Sequence, residues 1–380
     1  MRHDLVVVGG GPVGASLARA ARGLSVALVA HQRPSSSTTS EAFDARVYAL
    51  SPGNAAFLKD LGVWRAMPQE RLVPVHAMRI FGDHASKIEF DAYSAGVAEI
   101  AWIVEDSVLQ DALWRELEVD VVAAPCERLS IDDQRATLEL QGGRALSAKL
   151  IVGADGANSF VRRQAGIAAS DGDYGQSALV ANFRCGKPHA NVAHQWFQRG
   201  AVLALLPLPG EHVSLVWSLP TAEAKRISLL ESEALCREVE TVSHGAVGEL
   251  AMVTAPRSYP LRRLAAQRLV APRVALAGDA GHVIHPLAGQ GLNLGLQDAR
   301  TLAAVLYSRE PQRDPGDVRL LRRYERSRAE PILAMDTMVD SLFRLFGAEH
   351  RLAARLRNDG LNLTDRLPVL KNMLMRQAMS

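Results

Sequence analysis

Leu5-Val6-Val7-Val8-Gly9-Gly10-Gly11-Pro12-Val13-Gly14 follows a short polar lead and decides how the rest of the chain is read. An apolar run that ends in glycines is a buried strand entering a tight turn, and the alanine-rich stretch from Val13 to Arg22 is the helix expected after it. Ser25-Val26-Ala27-Leu28-Val29 supplies a second strand and completes a βαβ unit. Gly9, Gly11 and Gly14 fit the spacing G-x-G-x-x-G. The first allows the turn, the second lets a pyrophosphate approach the backbone, and the third permits close packing of helix on strand. Between a strand and a helix, this pattern marks a dinucleotide site rather than a plain glycine turn. One element is missing. The acidic residue that normally ends the second strand and holds the ribose hydroxyls is Ala30 here, followed by His31 and Gln32.

Far along the chain, a second stretch repeats the logic. Arg273-Val274-Ala275-Leu276-Ala277 reads as a buried strand that delivers Asp279 to a turn, and an apolar-periodic helix runs from about Gln290 to Tyr307. The intervening glycines, Gly281, Gly289 and Gly291, keep bulky side chains away from the helix N-terminus. The free N–H groups and positive dipole end there favour anionic or electron-rich groups. A third turn, Gly153-Ala154-Asp155-Gly156-Ala157-Asn158-Ser159, follows the strand Leu150-Ile151-Val152. On its own, Asp155 reads as a helix-capping aspartate. Arg46, in Asp44-Ala45-Arg46, reads by chemistry alone as a surface ion-pair partner before a phosphate contact.

Composition narrows the class. The chain has 380 residues, 48% hydrophobic and 22% charged, which allows two compact domains in a globular protein. A net charge of +2 makes no electrostatic case for nucleic acid. Cys126, Cys185 and Cys236 are scattered without a Cys-x-x-Cys, which argues against a disulfide framework or a thiolate metal site and for a reducing cytoplasm. Gly9 to Gly11 cut the first apolar run too early for a signal peptide, and no charge-free apolar run approaches the ~18 residues of a membrane span.

Between these motifs the pattern alternates. Pro34 to Ser40 is a Ser/Thr-rich loop, and Ser51-Pro52 caps a helix ending near Leu61-Gly62. Met78 to Phe81 and Lys87 to Phe90 form a hairpin, and Glu105 to Leu117 a helix. Strands recur at 119–123, 136–140, 178–183, 194–197, 202–209 and 213–219, with a charged helix over 221–242. This predicts a largely antiparallel sheet, the floor of a pocket, inserted into the first domain. Met335, Met338, Val339, Leu342, Phe343 and Phe346 share one apolar helical face. From Arg344 to Ser380, seven Lys/Arg stand against three Asp/Glu. Such a tail reads either as packed on its own domain or as docked on a membrane surface or partner helix.

With these residues together, the chain resembles the class A flavin-dependent aromatic monooxygenases and, within them, the ubiquinone-biosynthesis hydroxylase family. The three glycine-bearing turns occur in family order, and His285-Pro286-Leu287-Ala288-Gly289-Gln290-Gly291-Leu292-Asn293-Leu294-Gly295 is the most specific match. The resemblance covers nearly the whole chain. It implies an α/β fold: a Rossmann-like FAD-binding domain over 1–73, 97–172 and 262–345, an inserted, mostly antiparallel substrate sheet over 74–96 and 173–261, and a helical tail over 346–380.

It further implies that Gly9, Gly11 and Gly14, with Pro12 and Val13, cradle the FAD pyrophosphate, and that Ala30 and His31 lie at the adenosine ribose. Arg46 and Gln110 would contact the cofactor, Asp279 the ribityl chain, and Pro286, Gly289, Gly291, Leu292 and Asn293 the flavin. Asp155 and Arg162 would serve the pyrophosphate region and reduction by NAD(P)H. His285, as a base, and Pro286 would be catalytic. No metal is expected.

The chemistry implied is reduction of FAD by NAD(P)H, addition of O2 and transfer of one oxygen atom to an electron-rich phenol. With a single nucleotide fingerprint, NAD(P)H binds transiently on the flavin domain. The apolar segment Leu203 to Leu208 and the basic tail fit a lipophilic polyprenylated phenol, other ubiquinone-biosynthesis proteins and the inner-membrane surface. His194 sits on a predicted pocket strand. Two rivals stand beside this reading: a hydroxylase of small aromatic acids, with Arg184 or Arg199 holding the carboxylate, and a non-catalytic assembly member, suggested by Ala30. That residue departs from the family's glutamate and predicts weaker FAD binding.

Overall fold

The computed structural model describes residues 2–30, 43–82, 86–198, 200–286 and 289–347, with side chains as far as residue 341. His31, Arg199, the Ser/Thr-rich loop and the basic tail beyond 347 lie outside the described residues.

The chain begins β1 (Arg2–Val8), α1 (Pro12–Ala20), β2 (Val26–Ala30), then β3 (Val47–Leu50), α2 (Pro52–Asp60), α3 (Val63–Ala66) and β4 (Val73–Val75). The hairpin β5 (Ala77–Phe81) and β6 (Lys87–Asp91) follows, then α4 (Ala92–Ala95), β7 (Ala101–Glu105), α5 (Asp106–Trp114) and β8 (Asp120–Ala123). A meander of β9 (Cys126–Ile131), β10 (Ala136–Leu140) and β11 (Arg144–Gly153) leads to α6 (Phe160–Gln164). Next come β12 (Ala169–Cys185), β13 (Val192–Gln198), β14 (Ala201–Leu208), β15 (His212–Pro220), α7 (Thr221–Ser228), α8 (Ser232–Val242), β16 (Leu250–Met252) and β17 (Arg257–Ala266). The chain then runs through β18 (Val270–Ala271), β19 (Val274–Leu276), β20 (His282–Val283), α9 (Gly291–Tyr307) and α10 (Val318–Gly347).

Five strands pair in parallel in the order β8-β2-β1-β11-β19, with β18 antiparallel at the edge. Their near-continuous Val, Leu, Ile and Ala runs are what strands covered on both faces require. Leu5, Leu28 and Leu150 are fully buried. A second sheet, β20-β17-β12-β15-β14-β13-β5-β6, is antiparallel except for β13 on β5, and β3-β7-β4 forms a small third. The fold is mixed α/β, as the sequence predicts.

Alternation along the second sheet assigns its two faces. Leu179, Ala181, Phe183, Leu203, Leu205, Leu215 and Trp217 form one buried cluster on the face under α7 and α8. The opposite face meets the third sheet, because Leu206 and Met78 pack with Val73, Val75 and Ile103. Its other end is covered by α10, whose Val339 and Met335 pack on Phe197 and Val202.

Several expectations are corrected. The charged helix over 221–242 is two helices, because Ala224 and Ile227 of α7 and Leu235 and Val239 of α8 must reach their common apolar cluster from separate axes. Strand β9 went unseen because its polar-rich sequence, Cys-Glu-Arg-Leu-Ser-Ile, buries only Leu129. The apolar face of α10 divides: Val339 is buried and Met338 is 37% exposed, while the side chains of Leu342, Phe343 and Phe346 lie outside the described residues. His194 is not on the pocket face. It lies beside Phe81 and Trp196, at 6.4 and 5.6 Å between centroids, with those two rings 5.4 Å from each other, on the side that bears Leu205.

Burial, reinforced by the charge of Arg79, pushes the His194 ring down to about 4. Its unfolded value is about 6.5, so the folded state binds fewer protons between these limits. The contribution is full above about pH 6.5 and is lost as pH falls towards 4, on the order of 3 kcal/mol in all. Urea unfolding between pH 7 and 4.5 should show this slope, and His194→Phe, which keeps an aromatic ring there, should reduce it.

Candidate functional site

The carboxyl ends of the parallel strands point one way, and four of the five deliver a site element: β1 the Gly9–Gly11 turn, β2 Ala30, β11 the Asp155 turn and β19 the Gly278–Asp279 turn. The crevice outside such ends is where open α/β sheets bind ligands. At Gly9, φ is +117° and a Cβ would lie 2.1 Å from the Ala154 carbonyl oxygen; at Gly14 it would lie 1.9 Å from that of Gly9. Both are closed in by backbone. At Gly11 a Cβ would meet nothing within 4 Å, so this glycine borders open space. That open approach beside the N-terminus of α1 fits a pyrophosphate. Val13 has a different place: Cβ atoms at Gly278 and Gly295 would come within 3.1 and 2.6 Å of its Cγ2, so it wedges α1 against α9.

Helix α9 has no side-chain cap, and its first intrahelical bond runs from the Leu294 N–H to the Gln290 carbonyl at 3.0 Å. The N–H groups of Gly291, Leu292 and Asn293 precede that bond at the positive end of the helix dipole. Asn293 is buried and also works through its side chain. It donates to the Ala49 carbonyl at 2.8 Å and accepts from the Ser51 N–H and Asn54 Nδ2 at 2.9 Å each. This fastens α9 to β3 and α2. The preceding loop turns at Gly289, whose N–H donates to the Pro286 carbonyl at 2.9 Å.

Arg46 and Asp279 are near enough for each to feel the other's charge. Arg46 lies over the Tyr48 ring at 5.3 Å, and the Tyr48 hydroxyl donates to Asp106 at 2.9 Å, as does Gln110. Desolvation opposes the Arg46 charge, but Tyr48, Asp106 and Asp279 outweigh it and raise the guanidinium above its usual range. Asp279 is reachable by solvent yet hemmed in by protein, and this desolvation raises its carboxyl despite the pull of His282 and Arg46. Asp44 shapes the segment: its carboxylate accepts from the Arg46 and Ser107 N–H groups at 3.0 and 3.2 Å. Asn182 donates to the Asp44 carbonyl at 2.8 Å, bringing the second sheet to the cleft.

Asp155 turns its carboxylate to the start of α6, accepting from the Ser159 hydroxyl at 2.6 Å and the Phe160 N–H at 2.7 Å. This is capping geometry. Arg162 donates to the Ala157 and Ala280 carbonyls at 2.8 Å each and so ties the Asp155 turn to the Asp279 turn. His285 is 1% exposed, edge-on to Tyr174 at 4.7 Å, and its Nε2 bonds Gln176 Oε1 at 2.9 Å. Because Gln176 donates its amide to the Gly200 carbonyl at 2.8 Å, the imidazole is the donor in the pair with Oε1. Burial pushes His285 down to about 4, so it is neutral near pH 7.

The sequence pattern did not single out the buried carboxylate that joins these turns. Asp298 is fully buried on α9. It accepts from His282 Nε2 at 2.6 Å, the Gly278 N–H at 2.9 Å and Arg328 Nε of α10 at 2.7 Å. Desolvation opposes its charge, and His282 and Arg328 overcome it, holding the carboxyl below its usual range. The signal was available, because Leu294, Asp298 and Leu302 fall at i, i+4 and i+8, which puts a carboxylate on the buried face.

A protein-family model described as an FAD binding domain matches residues 2–337. The chain belongs to this FAD-binding family. It is 32% identical to the 3-demethoxyubiquinol 3-hydroxylase of Escherichia coli K12 over 99% of this chain and 98% of that protein. Ubiquinone hydroxylase UbiL of Rhodospirillum rubrum is 32% identical over 99% and 89% of the two chains. For the mitochondrial ubiquinone biosynthesis monooxygenase COQ6 of Danio rerio the values are 30%, 98% and 88%. Among solved structures, p-nitrophenol 4-monooxygenase PnpA of Pseudomonas putida shares the fold at TM-score 0.80 and 19% identity, covering 100% of this chain and 99% of that one. HpxO of Klebsiella pneumoniae, complexed with FAD and uric acid, does so at 0.76 and 18%, covering 99% and 97%. The protein is an FAD-dependent monooxygenase.

In this monooxygenase, Asp298→Asn should cost about 3–5 kcal/mol, because it strips Arg328 of its buried counter-charge. Urea unfolding checks it; a loss below about 1 kcal/mol would show that Arg328 had found another partner.

Proposed function

We propose that this monooxygenase hydroxylates the ring of a lipophilic, polyprenylated phenol in ubiquinone biosynthesis, with electrons from NAD(P)H and oxygen from O2. The carrying observation is the cleft floor. Between the ends covered by the third sheet and by α10, the second sheet presents the apolar Val180, Ala204 and Val216, with the buried Gln195 beside Ala204 as the polar member of that stretch. A small aromatic acid would want a cation turned into this floor, whereas Arg257, the β17 register partner of Val180, and Arg184, beyond Asn182 near the end of β12, both sit exposed. A hydrocarbon substrate suits such a floor, and an apolar floor also excludes water from the reaction.

On this reading the Gly9–Gly14 turn takes the FAD pyrophosphate, Asp279 the ribityl chain, and the N–H groups of Gly291 to Asn293 the electron-rich edge of the flavin. FAD supplies the oxygen chemistry once NAD(P)H has reduced it. Arg46 and the α9 N-terminus supply fixed positive potential, pre-oriented and requiring no reorganisation. His285, neutral and bonded to Gln176, holds the loop bearing Pro286 against β12 and acts as a positioning residue. Residues 1–73, 97–172 and 262–345 serve the cofactor, and 74–96 and 173–261 the substrate. No helix among the described residues is long and apolar enough to cross a membrane. The basic segment over 346–380 would bring the enzyme to the membrane surface, where a polyprenylated substrate resides, and to partner proteins of the pathway.

The test is NAD(P)H oxidation and product mass with a polyprenylated phenol and with a small aromatic acid. The lipophilic substrate should gain one oxygen atom, and Ala204→Asp should raise its KM at least tenfold while leaving the flavin absorbance unchanged. Faster hydroxylation of the acid would sink the substrate assignment. A colourless protein unable to take up FAD would sink the catalytic one.

A further inference from the structure

Ala30 ends β2 beside the glycine turn, where a ribose-binding carboxylate is expected, and its methyl is 6% exposed. Its register partner at the end of β8 is Ala123, also a methyl. The third wall comes from α5. Trp114, in the last turn of that helix, donates its indole Nε1–H to the Gly10 carbonyl at 2.9 Å. A Cβ at Gly10 would lie 2.6 Å from Trp114 Cζ2 and 2.7 Å from the Ala30 Cβ, so the ring edge and the methyl converge on this one glycine. Trp114 remains partly exposed. The end of α5 is anchored, because Arg19 of α1 donates to the Leu113 carbonyl at 3.0 Å and also to that of Arg115. A half-open indole is therefore held at the mouth of the nucleotide crevice, on the side where Ala30 offers no carboxylate.

We infer that Trp114, with Ala30 and Ala123, forms an apolar wall that holds the adenosine half of FAD by contact and does not read the ribose 2′-hydroxyl. The inference rests on the placement of FAD in this crevice and adds the element that recognises its nucleotide end. An aromatic face attracts a purine or a sugar face whatever its hydroxyl pattern, while a carboxylate makes charge-assisted bonds that require the hydroxyl. Against this wall of described residues, losing a hydroxyl should therefore cost little, and where an acid is present it should cost much.

The experiment titrates full-length apoprotein with FAD, 2′-deoxyadenosine FAD and FMN, following flavin and tryptophan fluorescence. The wild type should bind the two dinucleotides within about threefold of one another. Ala30→Glu should open a preference for FAD of tenfold or more, the range expected of a hydrogen bond to a charged group. Trp114→Ala should weaken both dinucleotides alike, about tenfold, and leave FMN unchanged, as loss of one stacking contact would. Trp114→Phe should keep most of the affinity while losing the FAD-induced quenching of Trp114 relative to the other four tryptophans. Urea unfolding of each apoprotein separates lost contact from lost fold. A wild-type preference for FAD of tenfold or more would overturn the inference, since some group would then be reading the hydroxyl. Equal weakening of FMN and FAD by Trp114→Ala would do the same. If FMN and both dinucleotides all failed to bind to every variant, the cofactor placement itself would fall.

Discussion

Asp298 is the point on which the cofactor-facing half of the structure is balanced. A carboxylate fully removed from water is unfavourable unless its oxygens are satisfied, and this one is met by His282, the Gly278 N–H and Arg328. Those three donors come from β20, the turn after β19, and α10, while the acceptor rides on α9. One buried charge therefore sets the distance between the Asp279 turn and the N-terminus of α9. Both must face the same ligand, and neither could hold its place by local propensity.

Close approach of backbone does the rest. Val13 fills the notch left by Gly278 and Gly295, so α1 and α9 lie nearer than side chains at those positions would permit. The two helix N-termini are thus brought to one crevice, where their dipoles add. Arg162 ties the second and third motif turns together from the other side through the Ala157 and Ala280 carbonyls. Helix α10 spans both sheets: the Tyr324 hydroxyl bonds the Leu276 carbonyl of the first at 2.7 Å, and Val339 is buried against the second. That helix, the bond from Asn182 to Asp44 and the bond from His285 to Gln176 tie the two sides of the cleft together.

Sequence patterns revealed most elements, because their causes are local. Ser51 with Pro52 predicts a helix start, and the Ser51 side chain does accept from the Asn54 N–H. Continuous apolar runs predict the parallel strands. What failed was any statement that required knowing which face of an element is covered. His194 belongs to a pocket strand, yet points to the far face. Met338 shares a helical stripe with Val339 but is exposed where the second sheet ends. The stretch over 221–242 contains no proline or glycine and still breaks, because two directions of packing are better satisfied than one.

By itself the sequence determined the fold class, the family and the order of the three cofactor-facing turns, since glycine spacing and hydrophobic period are properties of neighbouring residues. Only the tertiary structure decided how individual side chains are used. Asn293 looks like a backbone contact and proves also to be a buried clamp. Asp155 caps its own helix. Trp114, an unremarked residue at a helix end, lies against Gly10 and Ala30 from 104 and 84 positions away. Such partnerships depend on atoms brought together by closure of the sheet and by desolvation of the groups between its layers, and no period in the sequence encodes them.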